Sequence, residues 1–132
     1  MREIGTPEPH TILVAYKASE WVLIDSELID LNQLRQWFPR DSSPPLSKNS
    51  NAMLCLLQNQ KSHQTIVVAN CHLEHKPQVD HVKYAQAVYL IEKAAKYVRD
   101  NGGVPFICGG DFNSLPVSSV LTAFYGENIE GS

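Results

Sequence analysis

The chain is 132 residues long, 43% hydrophobic and 19% charged, enough apolar content to bury one ordinary core, so a single domain is expected. Its net charge of −3 excludes a protein that grips nucleic acid over its whole surface, because that needs an excess of cations; any such contact must be local or helped by a metal ion. No apolar run approaches the ~18 residues of a membrane span and no basic stretch leads into a short apolar one, so neither a span nor a secretory signal is expected.

In chain order, Met1 to His10 carries Pro7 and Pro9 and reads as an extended lead-in. Thr11 to Tyr16 is a strand, Lys17 to Glu20 a turn, and Trp21 to Ser26 a second strand, which together predict a hairpin. A short helix is expected from residue 31, ended by Pro39. Arg40 to Asn51 is rich in Ser, Pro and Asn and is expected to be a loop-like insertion without a core contact of its own. Ala52 to Gln58 then reads as a buried strand, and Asn59 to His63 as a turn into the strand Thr65 to Cys71, so these two should be antiparallel neighbours.

Apolar residues stepping by three and four predict a helix over Val79 to Arg99, with a broad inward face and a stop at Asn101-Gly102-Gly103. Lys83 and Gln86 are expected on its surface or in structural contacts. Val104 to Cys108 is expected to be a buried strand, and strand, helix, strand in this order is the crossover of an α/β layer fold. Ser118 is a plausible cap for a last short helix to Tyr125. Cys55, Cys71 and Cys108 all lie in apolar runs, which argues for buried free thiols in a reducing compartment.

Two strands end in polar pairs. Val104 to Cys108 stops at Gly109-Gly110 and delivers Asp111 and Asn113; the strand from Thr65 delivers Asn70 and His72 at the same spacing of two. On an extended backbone that spacing places each pair on one side. A carboxylate can hold a hard divalent cation or take a proton from water, and a neutral amide can serve the same ligand without adding repulsion. An isolated Asp-x-Asn is more often a turn; it is the second pair that favours a site. A zinc site from Cys71, His72 and His75 with Cys55 or Cys108 is disfavoured, because adjacent strand residues face opposite sides and no C-x-x-C occurs.

The segments Val68-Ala69-Asn70-Cys71-His72-Leu73, Val82-Lys83-Tyr84-Ala85-Gln86 and Phe106-Ile107-Cys108-Gly109-Gly110-Asp111-Phe112-Asn113-Ser114-Leu115-Pro116 resemble, in order and separation, the endonuclease/exonuclease/phosphatase superfamily. Ser114-Leu115-Pro116, Ser118 and Pro77 make the carbon catabolite repressor type deadenylases, with their nocturnin and Angel relatives, the nearest branch. The match is specific over Ile66 to Gly126. It implies an α/β fold: a portion of a four-layer α/β sandwich of the DNase-like kind, mixed sheets flanked by helices, with residues 1–132 forming a single partial domain.

The resemblance further implies a metal-dependent phosphodiesterase, a 3′-5′ exoribonuclease acting on poly(A). Asp111, Asn113 and His72 are the implied catalytic residues, Asp111 and Asn113 the ligands of Mg2+ or Mn2+, and Pro77 and Asn70 the substrate-side contacts. RNA and subunits of a deadenylase complex are the implied partners, in cytoplasm or nucleus. In relatives an asparagine and a metal-binding glutamate come from the first half of the domain, and a closing Ser-Asp-His-type segment follows later. Neither has a counterpart here, so part of the active site is expected to be lacking and the chain to be weak or inactive alone. The alternatives are a non-catalytic binding or scaffold domain of the same fold, and a DNA endonuclease or phosphoinositide phosphatase.

Overall fold

The computed structural model describes residues 2–5, 12–37, 50–74, 80–115 and 118–125. In chain order the elements are β1 (Arg2–Gly5), β2 (Leu13–Tyr16), β3 (Trp21–Asp30), a 3₁₀ segment (Leu31–Trp37), β4 (Asn51–Asn59), β5 (Thr65–His72), α1 (Asp80–Asp100), β6 (Phe106–Asp111) and α2 (Ser119–Tyr125). β1 and β2 form a two-stranded sheet; β3, β4, β5 and β6 form a four-stranded one in that order. β3, β4 and β5 are antiparallel to their neighbours, whereas β6 runs parallel to β5 after the α1 crossover. The expected mixed sheet flanked by helices is present.

β4 explains the layering. Ala52 to Leu57 are all buried because both faces of the strand are covered. Ala52, Leu54 and Leu56 face the helices, in a core with Val67, Ala69, Cys71, Leu73, Ala87, Leu90, Ala94 and Val120. Met53, Cys55 and Leu57 face the small sheet and pack with Ile12 and Val14. Burial on both sides is why this strand reads as a continuous apolar run instead of an alternating one. The layers are therefore the β1–β2 pair, the four-stranded sheet, and the helices.

The expected hairpin of Thr11 to Tyr16 with Trp21 to Ser26 does not form. β2 pairs with β1, in the stretch expected as a lead-in, and β3 pairs with β4. The Lys17–Glu20 turn thus steps from one sheet to the other, with the Glu20 and Trp21 amides both donating to the Lys17 carbonyl at 2.9 Å. β3 is ten residues long, and β4 matches nearly all of it, a longer ladder than four-residue β2 offers. A register shift between Leu23 and Asp25 lets β3 serve both cores, Leu23 packing on the small-sheet side and Ile29 on the helix side.

Most of the loop expected over residues 40–51 lies outside the described residues, but its last two do not behave as loop. Ser50 is buried and Asn51 opens β4. The Asn32 side chain brackets Ser50, its Nδ2 donating to the Ser50 carbonyl at 3.0 Å and its Oδ1 accepting the Ser50 amide at 3.2 Å. A polar residue is thereby packed through its backbone.

α1 has the expected broad inward face, burying Val82, Gln86, Ala87, Leu90, Ala94 and Tyr97, while Ala95 is exposed. Its end is closed by the Gly103 amide donating to the Val98 carbonyl at 2.9 Å, with Gly102 and Gly103 both left-handed. α2 starts with the Ser118 hydroxyl accepting the Leu121 amide at 3.4 Å, as expected of a cap, and Phe124 meets Phe112 edge to face at 4.8 Å between ring centres. No helix among the described residues is long and apolar enough to cross a membrane.

Candidate functional site

The strand expected as buried over Val104 to Cys108 lies at an edge among the described strands. It starts at Phe106, continues through both glycines to Asp111, and has β5 as its single neighbour among them. Phe106 and Ile107 are accordingly 39% and 57% exposed. The apolar run reflects one covered face, with Val104, Cys108 and Phe112 packed toward the helix-side core.

What the strand does retain is its delivery of Asp111. In the parallel ladder Val68 lies opposite Ile107, Asn70 opposite Gly109, and His72 opposite Asp111. Ile66 and Val68 pack on the small-sheet side and Ala69 and Cys71 on the helix side, so alternation places Asn70 and His72 on the small-sheet side. Asp111, level with His72 in the pleat, lies on that side too. The carboxyl ends of parallel strands are where α/β sheets place ligands.

Close approach of the two strands depends on Gly110. Its φ is +142°, and a Cβ there would run into the backbone carbonyl and amide of Cys71. A glycine between Cys108 and Asp111 is therefore a packing requirement, as well as access for a ligand.

Asn113 is not on extended backbone. The strand ends at Asp111, and Asn113 adopts φ +47°, in the left-handed region that asparagine tolerates better than most residues. Asp111 and Asn113 are joined by a turn, the Asn113 amide donating to Asp111 Oδ1 at 3.0 Å. Turn and site are here the same structure. The Asn113 Nδ2 donates to the Leu73 carbonyl at 3.0 Å, and the Leu73 amide donates to the Asp111 carbonyl at 3.0 Å. His72, Asp111 and Asn113 are thus brought together at one end of the β5–β6 pair.

Asn70 faces the same way as His72 but is engaged elsewhere: its Nδ2 donates to the Leu13 carbonyl at 2.8 Å and ties β5 to the small sheet. Pro77 lies outside the described residues.

Lys83 and Gln86 are not on the helix surface; they are 3% and 2% exposed. Lys83 Nζ donates to the Asn113 carbonyl at 2.9 Å, and Gln86 Oε1 accepts the amide of the fully buried Glu74 at 2.8 Å. A structural contact is what they make, and its address is the site. Their separation of three, beside Val82 on the inward arc, was the available signal.

The three thiols are free. Burial pushes Cys55 up to about 11. Cys71, on β5 behind His72, and the half-buried Cys108 on β6 share a hydrogen bond; that bond, then burial, raises Cys71, and the same bond lowers Cys108, whose thiol also donates to the Gly109 carbonyl at 3.8 Å.

Among the described residues no three His, Cys, Asp or Glu side chains converge as a metal cluster. Asp111 and Asn113 nevertheless offer a carboxylate and an amide oxygen within one turn, hard donors of the kind a small divalent cation takes alongside its own waters. The donor chemistry fits Mg2+ or Mn2+ and does not fit a thiolate-bound ion.

No protein-family model matches the chain. A CCR4-Not complex 3′-5′-exoribonuclease subunit Ccr4 from Mycosarcoma maydis is 30% identical over 136 residues, covering 81% of this chain and 20% of that protein. Protein angel homolog 2 from Mus musculus is 27% identical over 132 residues, covering 94% of this chain and 23% of that protein. The human nocturnin catalytic domain, solved with a bound sulfate anion, superposes with a TM-score of 0.74 at 19% identity, over 97% of this chain and 48% of that one. The chain therefore spans about a fifth of the length of these curated relatives and about half of the solved domain.

Proposed function

The chain is a homologue of the Ccr4- and Angel-type proteins on the endonuclease/exonuclease/phosphatase fold, and from that premise we propose that it forms part of a metal-dependent phosphodiesterase that removes nucleotides from the 3′ end of RNA, poly(A) foremost. The observation that carries this reading is the lateral pairing of His72 with Asp111 at the carboxyl ends of two parallel strands.

Each residue then has a task suited to its chemistry. Asp111, a carboxylate at an exposed strand end, orients the attacking water and accepts its proton. His72 donates to a non-bridging phosphate oxygen and opposes the charge that grows there. Asn113 offers Oδ1, an acceptor, which suits a cation better than a phosphate oxygen. Mg2+ or Mn2+ held by Asp111 and Asn113 would supply Lewis-acid polarisation of the phosphate. On this reading Asn70 and Pro77 are the substrate-side contacts. Subunits of a deadenylase complex are the partners this reading carries, with cytoplasm or nucleus as its place of work.

Hydrolysis of a fluorescent RNA bearing a 3′-oligoadenylate, with protein in excess and Mg2+ present, tests the reading in the native chain and in Asp111→Ala. Slow, Mg2+-dependent release of mononucleotides that disappears in Asp111→Ala supports it. Cleavage indifferent to Asp111 overturns the role assigned to Asp111, and oligoadenylate binding with no cleavage at all replaces the reading with a non-catalytic binding module.

A further inference from the structure

We propose that Lys83 is a positioning residue of the site, acting through Asn113, an assignment that rests on the reading of Asn113 as a metal ligand. Lys83 is 3% exposed, and an ammonium is strongly hydrated, so its burial in the helix layer is unfavourable unless its hydrogens are used. One of them is given to the Asn113 carbonyl at 2.9 Å. A bond from a charged donor is among the stronger hydrogen bonds a side chain makes.

Asn113 needs holding. It sits at φ +47°, and three bonds keep it there: its amide to Asp111 Oδ1, its Nδ2 to the Leu73 carbonyl, and its carbonyl from Lys83. The first two bind the turn to itself and to the end of β5. Only the third comes from the helix layer, so Lys83 sets the height of the turn above α1. One turn along the same helix face, Gln86 holds the Glu74 amide, where the chain leaves β5. α1 thereby grips both strand ends, and among the described residues Oδ1 is the one polar atom of Asn113 that this lattice does not use. An apolar side chain at position 83 would fill the space and leave the Asn113 carbonyl without its donor, releasing the direction of Oδ1.

Two readouts on the full chain test this: Mn2+ affinity by electron paramagnetic resonance, and hydrogen exchange of the Asn113 side-chain amide by NMR, its resonance identified by its loss in Asn113→Asp. Lys83→Met is expected to lower Mn2+ affinity on the order of 10- to 100-fold, the range typical of groups that orient a ligand, and to speed Asn113 exchange while exchange in β4 stays native. Unchanged Asn113 exchange overturns the proposal. So does faster exchange with native Mn2+ affinity, in a chain where Asp111→Ala abolishes Mn2+ binding. If Asp111→Ala leaves Mn2+ binding intact, it is the metal reading that fails, and Asn113 exchange alone then decides the role of Lys83. Should Lys83→Met not fold, Lys83→Gln, neutral and so a weaker donor, is judged by the same two readouts, with smaller losses in the same direction expected.

Discussion

His72 and Asp111 are lateral partners in the parallel ladder, opposite one another at the last residues of β5 and β6. Two side chains at that separation can serve one phosphate from one direction. Their contributions to hydrolysis should then be coupled. Removing a single preorganised group of this kind typically costs about 3 to 4 kcal/mol, or roughly a hundred- to thousandfold in rate. Asp111→Ala and His72→Ala are each expected to fall in that range, and the double variant to fall well short of the product of the two. Independent, multiplying losses in a double-mutant cycle would place the two residues in separate tasks.

Gly110 and Gly109 separate packing from access. A methyl group on Gly110 meets the Cys71 backbone, whereas one on Gly109 meets nothing within 4 Å. Gly110→Ala should therefore lower stability by more than about 1 kcal/mol, because the residue is also held at a positive φ. Gly109→Ala should melt within about 2 °C of the native chain, a shift that corresponds to well under 1 kcal/mol for a domain this small. Equal melting temperatures for the two variants would mean that β5 and β6 can part without loss.

Asn70 offers a choice between architecture and chemistry. Its amide holds the Leu13 carbonyl, a contact between the two sheets. Asn70→Ala should cost about 1 kcal/mol, as loss of one intramolecular hydrogen bond usually does, and should raise amide exchange in β1 and β2 while leaving β4 protected. If β1 and β2 exchange as before and only substrate affinity falls, Asn70 belongs to the substrate side and not to the sheet contact.

The parts of this fold legible in sequence were those fixed by local pattern. β4, β5, α1 and α2 announce themselves by apolar periodicity and by their caps, and the parallel crossover follows from strand, helix and strand in succession. Strand partners were less legible, because β2 and β3 are joined by a four-residue turn that would suit a hairpin and in fact steps between sheets. Nothing local records which partner offers the longer ladder. Edge position was equally hidden: Phe106 and Ile107 look like core until it is known that β6 has one neighbour among the described strands. At the site, His72, Asp111 and Asn113 were identified by type and spacing, but the extended geometry assumed for Asn113 failed, since the Asp111 carboxylate captures its amide and turns the chain. For Lys83 the sequence left surface and structural contact side by side, because charge ordinarily means solvent, and only the packed structure shows the Asn113 carbonyl that makes it a contact.

Tyr97 provides a test of the fold that is independent of the site. Its hydroxyl donates to Asp25 Oδ2 at 2.8 Å, joining α1 to β3. Burial and this bond, then the negative charge of Asp25, hold the phenol above its ordinary value. The sign follows from linkage: a group raised in the folded state contributes stability that is complete below its unfolded value, about 10 for tyrosine, and that is lost as pH rises beyond it. Tyr97→Phe keeps the ring and removes the hydroxyl, and should cost about 1 kcal/mol between pH 7 and pH 9. Above about pH 10 the native chain alone pays for keeping a phenol neutral in the fold, so the difference between the two proteins should shrink with each further step in pH. Urea unfolding of both proteins at several pH values measures it, and a difference that stays constant to about pH 11 would show that Tyr97 titrates as freely in the folded chain as in the unfolded one.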